Sequence, residues 1–181
     1  LVRTSPGAMV LQTGAPGGVT GLFVRGGESS YNTVLLDGIP INEPGGTFNF
    51  NNLTTGNIER VEVVRGANSA LFGSDAMSSV VQLFTKRGTA AHARPQVSAQ
   101  FDGGSYGTAR TTGAVTGASR GWDYAVGATR FTTDNRVPNS AFGNTTLSAN
   151  VGRAIDSRTT VRAIVRGELG RNGTPGQTAY G

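Results

Sequence analysis

Residues able to do covalent or metal chemistry are scarce in this chain. It has no cysteine and a single histidine, His92, set in the stretch TAAHARP. Without cysteine, neither a disulfide framework nor a thiolate-bound metal can form. A Ser-His-Asp triad or a two-histidine metal site would have to be built on His92. Its small, proline-flanked neighbours read instead as a solvated linker. No catalytic residue, metal ligand or cofactor is therefore assigned. Two glycine-rich stretches, GAPGGVTG (residues 14–21) and RGGESS (residues 25–30), raise the question of phosphate binding. Neither has the G-x-x-x-x-G-K-[ST] spacing or the strand-to-helix setting of a phosphate loop. The enzyme reading is set aside on those grounds.

Charge is the next candidate. The 181 residues carry 16 basic and 11 acidic side chains, a net of +5. Residues 1–90 balance to zero, and the excess lies in residues 91–181, where ten arginines face five carboxylates. These arginines are scattered over many short segments and form no stripe with interleaved aromatics, so nucleic-acid binding is not the expected use. Lys86 is the only lysine; choosing arginine elsewhere suits ion pairs in confined places. The 28 glycines are about twice the usual ~7% share and point to a turn-rich, strand-rich chain. No run approaches the ~18 apolar residues of a membrane helix. The start LVRTSPG, without Met, and the stop at Gly181 in what reads as a loop lead us to expect a piece of a longer chain.

The elements fall into two grammars. In the first half, LFVRGG (Leu22–Gly27) reads as a short strand closed by glycines. NTVLLDGIPIN reads as a hairpin around Asp37-Gly38, a pair suited to a type I′ turn. TFNFNNLTTGN holds at most a turn of helix. IERVEVVRG does not alternate strictly, which predicts a strand covered on both sides. NSALFG offers Asn68 or Ser69 as an N-cap for a very short helix ended by Gly73. SVVQLFTKRG closes the unit as a strand, giving a small α+β domain over residues 1–88 with a short mixed sheet. A linker follows at residues 89–95.

From residue 96 the rhythm changes to alternation. Val97, Ala99 and Phe101 interleave with polar residues, as do Leu147, Ala149 and Val151. Val161, Ala163 and Val165 do the same, with Ile164 the exception. Five strands of ~10 residues are expected, joined tightly at 103–105, 118–121 and 156–158, and by longer loops at 134–143 and from Gly170 onward. Such strands describe the wall of a transmembrane β-barrel, its Thr/Ser/Gln/Arg face towards a lumen and its Val/Leu/Ala/Phe face towards lipid. Trp122 and Tyr124, opening a strand beside a tight turn, would then belong to an interfacial aromatic girdle. A soluble β-sandwich with a Trp/Tyr core accounts for the alternation equally well, and at this point both readings stand.

Two longer motifs bear on the choice. LFVRGGESSYNTVLLDGIPIN and IERVEVVRGANSALFGSDAMSSVVQLFTKRG resemble, in order, the two diagnostic segments of the plug domain of TonB-dependent outer-membrane receptors. The resemblance covers residues 11–88 and leans slightly towards the cobalamin branch, with GSDA and a compact first loop. The chain departs from the family pattern at Ala67, where Pro is usual, at Ser78-Ser79, where Gly-Gly is usual, and at Gln82, where Asn is usual. The resemblance implies an α+β plug followed by the first antiparallel strands of an outer-membrane barrel, residues 96–181 supplying about five of about 22 strands.

It also implies a function. A scarce ligand, of cobalamin or ferric-siderophore type, would bind the plug's apical loops, and the energy-transducing protein TonB would drive its passage across the bacterial outer membrane. Partners would be TonB, the metal-chelate or corrinoid ligand, and outer-membrane lipid. A TonB-linked signalling receptor and a soluble β-rich binding domain are the alternatives. By position against the family, the apical loops hold Gln12, Thr13, Gly14, Ala15, Pro16 and Gly17, and then Asn42, Glu43, Pro44, Gly45, Gly46, Thr47 and Phe48. Residues 134–143 and those from Gly170 onward are further candidates. Arg25, Glu59, Glu62 and Arg65 fall in plug strands and are expected to form polar pairs, among themselves or with the wall, that hold the plug as a removable stopper.

Overall fold

The computed structural model describes residues 6–89 and 94–174; His92 lies outside them. The chain divides into two compact units. One comprises Leu1–Gly14, Gly18–Leu53 and Ile58–Thr85, the other Ala15–Gly17, Thr54–Asn57 and Lys86–Gly181.

In the first unit, β1 (Ala8–Gln12) and β2 (Thr20–Val24) form an antiparallel ribbon. A four-stranded sheet follows, built from β3 (Asn32–Leu36), β4 (Ile39–Pro40), β5 (Ile58–Arg65) and β6 (Ser79–Thr85) in the order β4-β3-β6-β5. β3 runs parallel to β6, and the other pairs are antiparallel. Every residue of β3 is buried, which explains the unbroken apolar run Val34–Leu36 that follows its polar start: a strand covered on both faces has no solvent side to show. Leu22, Val24, Val34, Val80, Val81 and Leu83 have no exposed surface, each contributing about 1.5–3 kcal/mol of burial. Asp37 and Gly38 take φ of 47° and 88°, the left-handed pair that a type I′ hairpin needs. The Asp37 carboxylate then accepts from the Thr85 amide at 3.1 Å and from its hydroxyl at 2.5 Å, fixing the turn to the end of β6. Between β5 and β6 lies α1 (Ser69–Phe72), ended by Gly73 at φ 93°. Asn68 stands at its N-cap position, but its side chain makes no capping hydrogen bond and donates instead to the Gly66 carbonyl at 2.8 Å.

Asn32 is the polar centre of this unit. With 1% exposure, its amide donates to the Leu22, Glu28 and Ser29 carbonyls at 2.9, 3.1 and 3.2 Å. Its Oδ1 accepts from the Ser79 hydroxyl at 2.7 Å. Ser79 is thus a hydrogen-bond donor in the core. Its neighbour Ser78 stands over Gly27, where any Cβ would overlap the serine side chain. Ser78 is accommodated by a glycine on another segment, and Ser79 by Asn32.

One expectation is corrected here. β5 is not covered on both sides: it is the edge strand of the sheet, and five of its eight residues are exposed. Its irregular pattern reflects an edge that carries charges on both faces. A register shift between Ile58 and Arg60 adds to the irregularity.

The second unit is an antiparallel meander of β7 (Gln96–Gly103), β8 (Ala109–Ser119), β9 (Trp122–Thr133), β10 (Phe142–Ala154) and β11 (Thr160–Asn172). Arg120 and Gly121, at φ 51° and 79°, close a two-residue turn between β8 and β9. The register aligns Val97, Val115, Val126, Ala149 and Val165 across all five strands. The alternation is therefore one continuous two-faced surface. A second correction concerns the chain from Gly170: β11 continues through Asn172, held to Phe142 and Gly143 of β10, so the expected loop does not start there. Glycine reads as a strand breaker in a single segment, but the ladder of a long neighbour carries pairing through it.

Candidate functional site

In the first unit the loop of residues 42–48 is shaped by its own first residue. The Asn42 side chain accepts from the Val34 amide at 2.7 Å and donates to the Asn32 and Gly46 carbonyls at 2.9 and 2.7 Å. It acts as a short stretch of extra strand beside β3, so Asn42 is a structural residue. Glu43 and Thr47 close the loop, the Glu43 amide donating to the Thr47 carbonyl at 2.8 Å. Glu43, Pro44, Gly45 and Thr47 are left exposed at the tip. Gly46 is buried at φ 82°, and a Cβ there would meet the Ser30 carbonyl at 2.8 Å. Phe48 packs edge-on against Phe50, with centroids 4.9 Å apart. The tip thus offers one carboxylate, one hydroxyl and bare backbone.

The Thr13 amide closes the first loop onto the Val19 carbonyl at 2.9 Å. The Thr20 amide, just beyond it, donates to Asn49 Oδ1 at 3.0 Å, tying this loop to the chain that leaves residues 42–48. Thr13, Gly14 and Pro16 are exposed, while Gln12, Ala15 and Gly17 are half-buried.

Within the second unit, the segment Ala15–Gly17 is gripped from the ends of the long strands. Asn135, just past β9, donates from its side-chain amide to the Pro16 carbonyl at 2.9 Å and to the Ser140 carbonyl. Asn172, closing β11, donates to the Gly17 carbonyl at 3.1 Å. Gly17 is at φ 104°, and a Cβ there would lie 2.6 Å from Asn172 Oδ1 and 2.8 Å from the Phe142 ring. Only glycine fits. Sequence reasoning missed both asparagines as individuals, although their segments were singled out. An Asn closing a strand next to a glycine-rich loop carries no distinctive spacing.

The two faces of the strands differ in chemistry. One packs against Thr54–Asn57: a Cβ on Gly56 would meet Thr129 and Thr112, and Arg166 donates to Thr54 Oγ1 at 3.2 Å. On this face Arg162 pairs with Asp123 at 2.8 Å and also donates to Asn150, while Asn144 donates to Glu168 at 2.8 Å. The other face exposes Val97, Phe101, Val126, Leu147, Val165 and Leu169. At one end of that face the Arg153 guanidinium lies 4.9 Å over the Trp122 ring, an arrangement suited to a membrane interface. Outside the strands, Asp156 accepts from the Arg158 and Thr159 amides at 2.8 and 2.7 Å. Those bonds, led by Arg158, hold its carboxyl below the ordinary 3.8.

Of the four plug charges singled out in the sequence, Glu62 pairs with Arg60 at 2.7 Å on exposed surface. Arg65 donates to the Pro6 carbonyl at 2.7 Å. Arg25 sits at φ 52°, its amide on the Gly7 carbonyl. Among the described residues these four make no ion pair with one another. No cluster of three or more His, Cys, Asp or Glu able to hold a metal occurs among the described residues.

Residues 1–80 match the family described as the TonB-dependent receptor plug domain. Residues 1–80 are thus a plug-type domain of the TonB-dependent receptor kind. Over 85 residues the chain is 40% identical to the vitamin B12 transporter BtuB of Vibrio vulnificus, covering 47% of this chain and 14% of that protein. Its fold superposes on the siderophore receptor PirA of Acinetobacter baumannii with a TM-score of 0.73 at 22% identity, covering 92% of this chain and 28% of that one. The pyoverdine outer-membrane receptor FpvA of Pseudomonas aeruginosa gives 0.77 at 17% identity, covering 92% and 24%. At those identities the structural likenesses speak for the fold alone. The chain therefore spans between about a seventh and just over a quarter of each relative. The plug and the strands after it decide between the two readings of the alternation: the strands are barrel wall, and the protein resides in the bacterial outer membrane.

Proposed function

We propose that the receptor to which this chain belongs binds a corrinoid or ferric-siderophore type ligand from outside the cell and passes it inward when TonB pulls on the plug. In this reading residues 1–88 are the plug, 89–95 the linker and 96–181 the first wall strands. The ligand meets residues 12–17 and 42–48. The observation that carries the proposal is the grip of Asn135 and Asn172 on the Pro16 and Gly17 carbonyls. A bare glycine-rich loop would lose its freedom on binding, at about 1–2 kcal/mol per residue ordered. A loop held beforehand by two amides has already lost it, and its small residues let a bulky ligand reach the backbone. No bond of the ligand is made or broken, in keeping with a family of transporters and receptors.

The plug must also leave its seat. The charged edge strand β5, with Glu59, Glu62 and Arg65, and nearby Arg25 supply a polar surface that exchanges for water at little cost. A dry apolar one would resist displacement. Reversing charge with Arg65→Glu in the full receptor is expected to raise leakage of large solutes; unchanged exclusion would remove this role.

The decisive test is uptake. Cells deleted for the receptor gene and supplied with a single corrinoid or a single ferric siderophore should fail to grow on one of them. Growth should return with the intact gene, and only while TonB is present. Restored growth without TonB would overturn the proposal. Of the two ligand classes, the 40% identity to a B12 transporter makes the corrinoid the first to try.

A further inference from the structure

Ser79 stands where the plug family usually has glycine, and it is fully buried. Its hydroxyl donates to Asn32 Oδ1 at 2.7 Å, and Asn32 is only 1% exposed. Three carbonyls converge on the amide nitrogen of Asn32: Leu22 at 2.9 Å, Glu28 at 3.1 Å and Ser29 at 3.2 Å. Turning the amide over would set its oxygen against three acceptors, so the nitrogen has one place to be. The oxygen then faces β6 in a buried site, where an acceptor without a donor is costly. Glycine at position 79 brings no hydroxyl. Serine supplies the donor that lets Asn32 keep this orientation.

Two supports of the loop 42–48 rest on Asn32. The first is its main-chain carbonyl, which accepts from Asn42 Nδ2 at 2.9 Å. The same nitrogen donates to the Gly46 carbonyl at 2.7 Å, and Asn42 Oδ1 accepts from the Val34 amide at 2.7 Å. The second support is the turn of residues 28–31. The Asn32 amide holds its Glu28 and Ser29 carbonyls. Its Ser30 carbonyl lies directly against Gly46, 2.8 Å from where a Cβ would stand. A tie to β6 completes the frame, the Ser78 amide donating to the Tyr31 carbonyl at 2.9 Å. All of these contacts lie within the first compact unit.

We infer that Ser79 is a positioning residue for the loop 42–48. Its hydroxyl sets the Asn32 amide, Asn32 sets Asn42 and the 28–31 turn, and these together shape the loop. Linked hydrogen bonds in a buried site polarise one another, so losing the first link weakens the last. A loop held in one shape has less freedom to lose when a ligand arrives. The effect on the ligand rests on the reading above that residues 42–48 meet it; the positioning of the loop does not.

The test uses the full receptor, purified in mild detergent, with hydrogen exchange of residues 28–31, 34 and 42–48 followed by mass spectrometry. Ser79→Ala should speed exchange there at least about fivefold. Thr85→Val is the control, because it removes a hydroxyl that donates to Asp37 at the far end of the same strand. With that variant the loop should exchange at the parent rate. Adding Ser79→Ala to Asn32→Ala should change the loop no further, because the hydroxyl acts through Asn32. Unchanged loop exchange in Ser79→Ala overturns the inference. So does equal acceleration by Thr85→Val, or further acceleration in the Asn32→Ala background. Equilibrium binding of cyanocobalamin is measured on the same proteins, and Ser79→Ala should weaken it about threefold. A loosened loop with unchanged cyanocobalamin binding upholds the positioning role and instead removes residues 42–48 from the ligand's contact.

Discussion

The plug sheet and the wall sheet solve the same problem with opposite surfaces. In the plug, β3 is buried on both faces and its polar neighbours are turned inward: Asn32 and Asn42 complete backbone hydrogen bonds that no strand supplies. In the wall, Val126, Leu147 and Val165 stand exposed while Asp123, Arg162 and Asn150 are drawn together on the other face. The difference teaches which solvent each sheet was made for. A sheet surrounded by water and polar groups hides its apolar side chains, and a sheet against hydrocarbon presents them.

The sharpest test of that contrast is one substitution made twice. Leu83→Ala, at a site with no exposure, should cost about 2–5 kcal/mol through lost transfer and a cavity. Leu147→Ala, at 59% exposure, should cost under about 1 kcal/mol, because lipid closes over the missing methyls. Hydrogen exchange of β3 and β10 amides in the full receptor measures both; equal effects would break the comparison. Leu147→Arg should reverse the ranking of the wall, costing about 2–4 kcal/mol near mid-bilayer, read as reduced heat stability of the barrel.

Polar centres come next. Asn32→Ala leaves the Leu22 carbonyl and the Ser79 hydroxyl without their partner in a buried site. About 1–3 kcal/mol should be lost, with faster proteolysis of the plug as the readout. Gly17→Ala should lower ligand affinity about tenfold, or ~1.4 kcal/mol, because its Cβ meets Asn172 and Phe142. Equilibrium binding to the purified receptor checks it, and an unchanged constant would separate that loop from the ligand.

The smallest effect concerns Asp156. Its carboxyl is held below the ordinary 3.8 by the Arg158 and Thr159 hydrogen bonds. The ionised form is therefore favoured in the folded turn. The contribution is present above about pH 3.8 and fades as pH falls through the lower folded value. NMR titration of Asp156 should show a midpoint below 3.8 that rises in Thr159→Ala, which removes the Thr159 hydroxyl bond that also lowers it. A midpoint at or above 3.8 in the parent would remove the effect.

Much of this was legible beforehand because it rests on local rules. The Asp37-Gly38 turn follows from backbone sterics, and the end of the short helix from Gly73, whereas the Asn68 side chain turns out not to cap its start. The two-residue alternation in residues 96–165 marked the wall strands. Other features were not legible. β5 reads as a covered strand until its place at the edge of the sheet is known. β11 runs through Gly170 and Asn172 because β10 is there to pair with it. Asn135 and Asn172 acquire their role only from carbonyls more than a hundred residues away.

What the sequence determined by itself is therefore the periodicity, the turns and two family motifs, all properties of neighbours along the chain. Tertiary structure decided which strand is central and which is edge, which asparagines serve as substitute backbone, and which glycines are open and which are filled. Those depend on distances between residues far apart in sequence, and a one-dimensional pattern of side-chain types does not encode such distances.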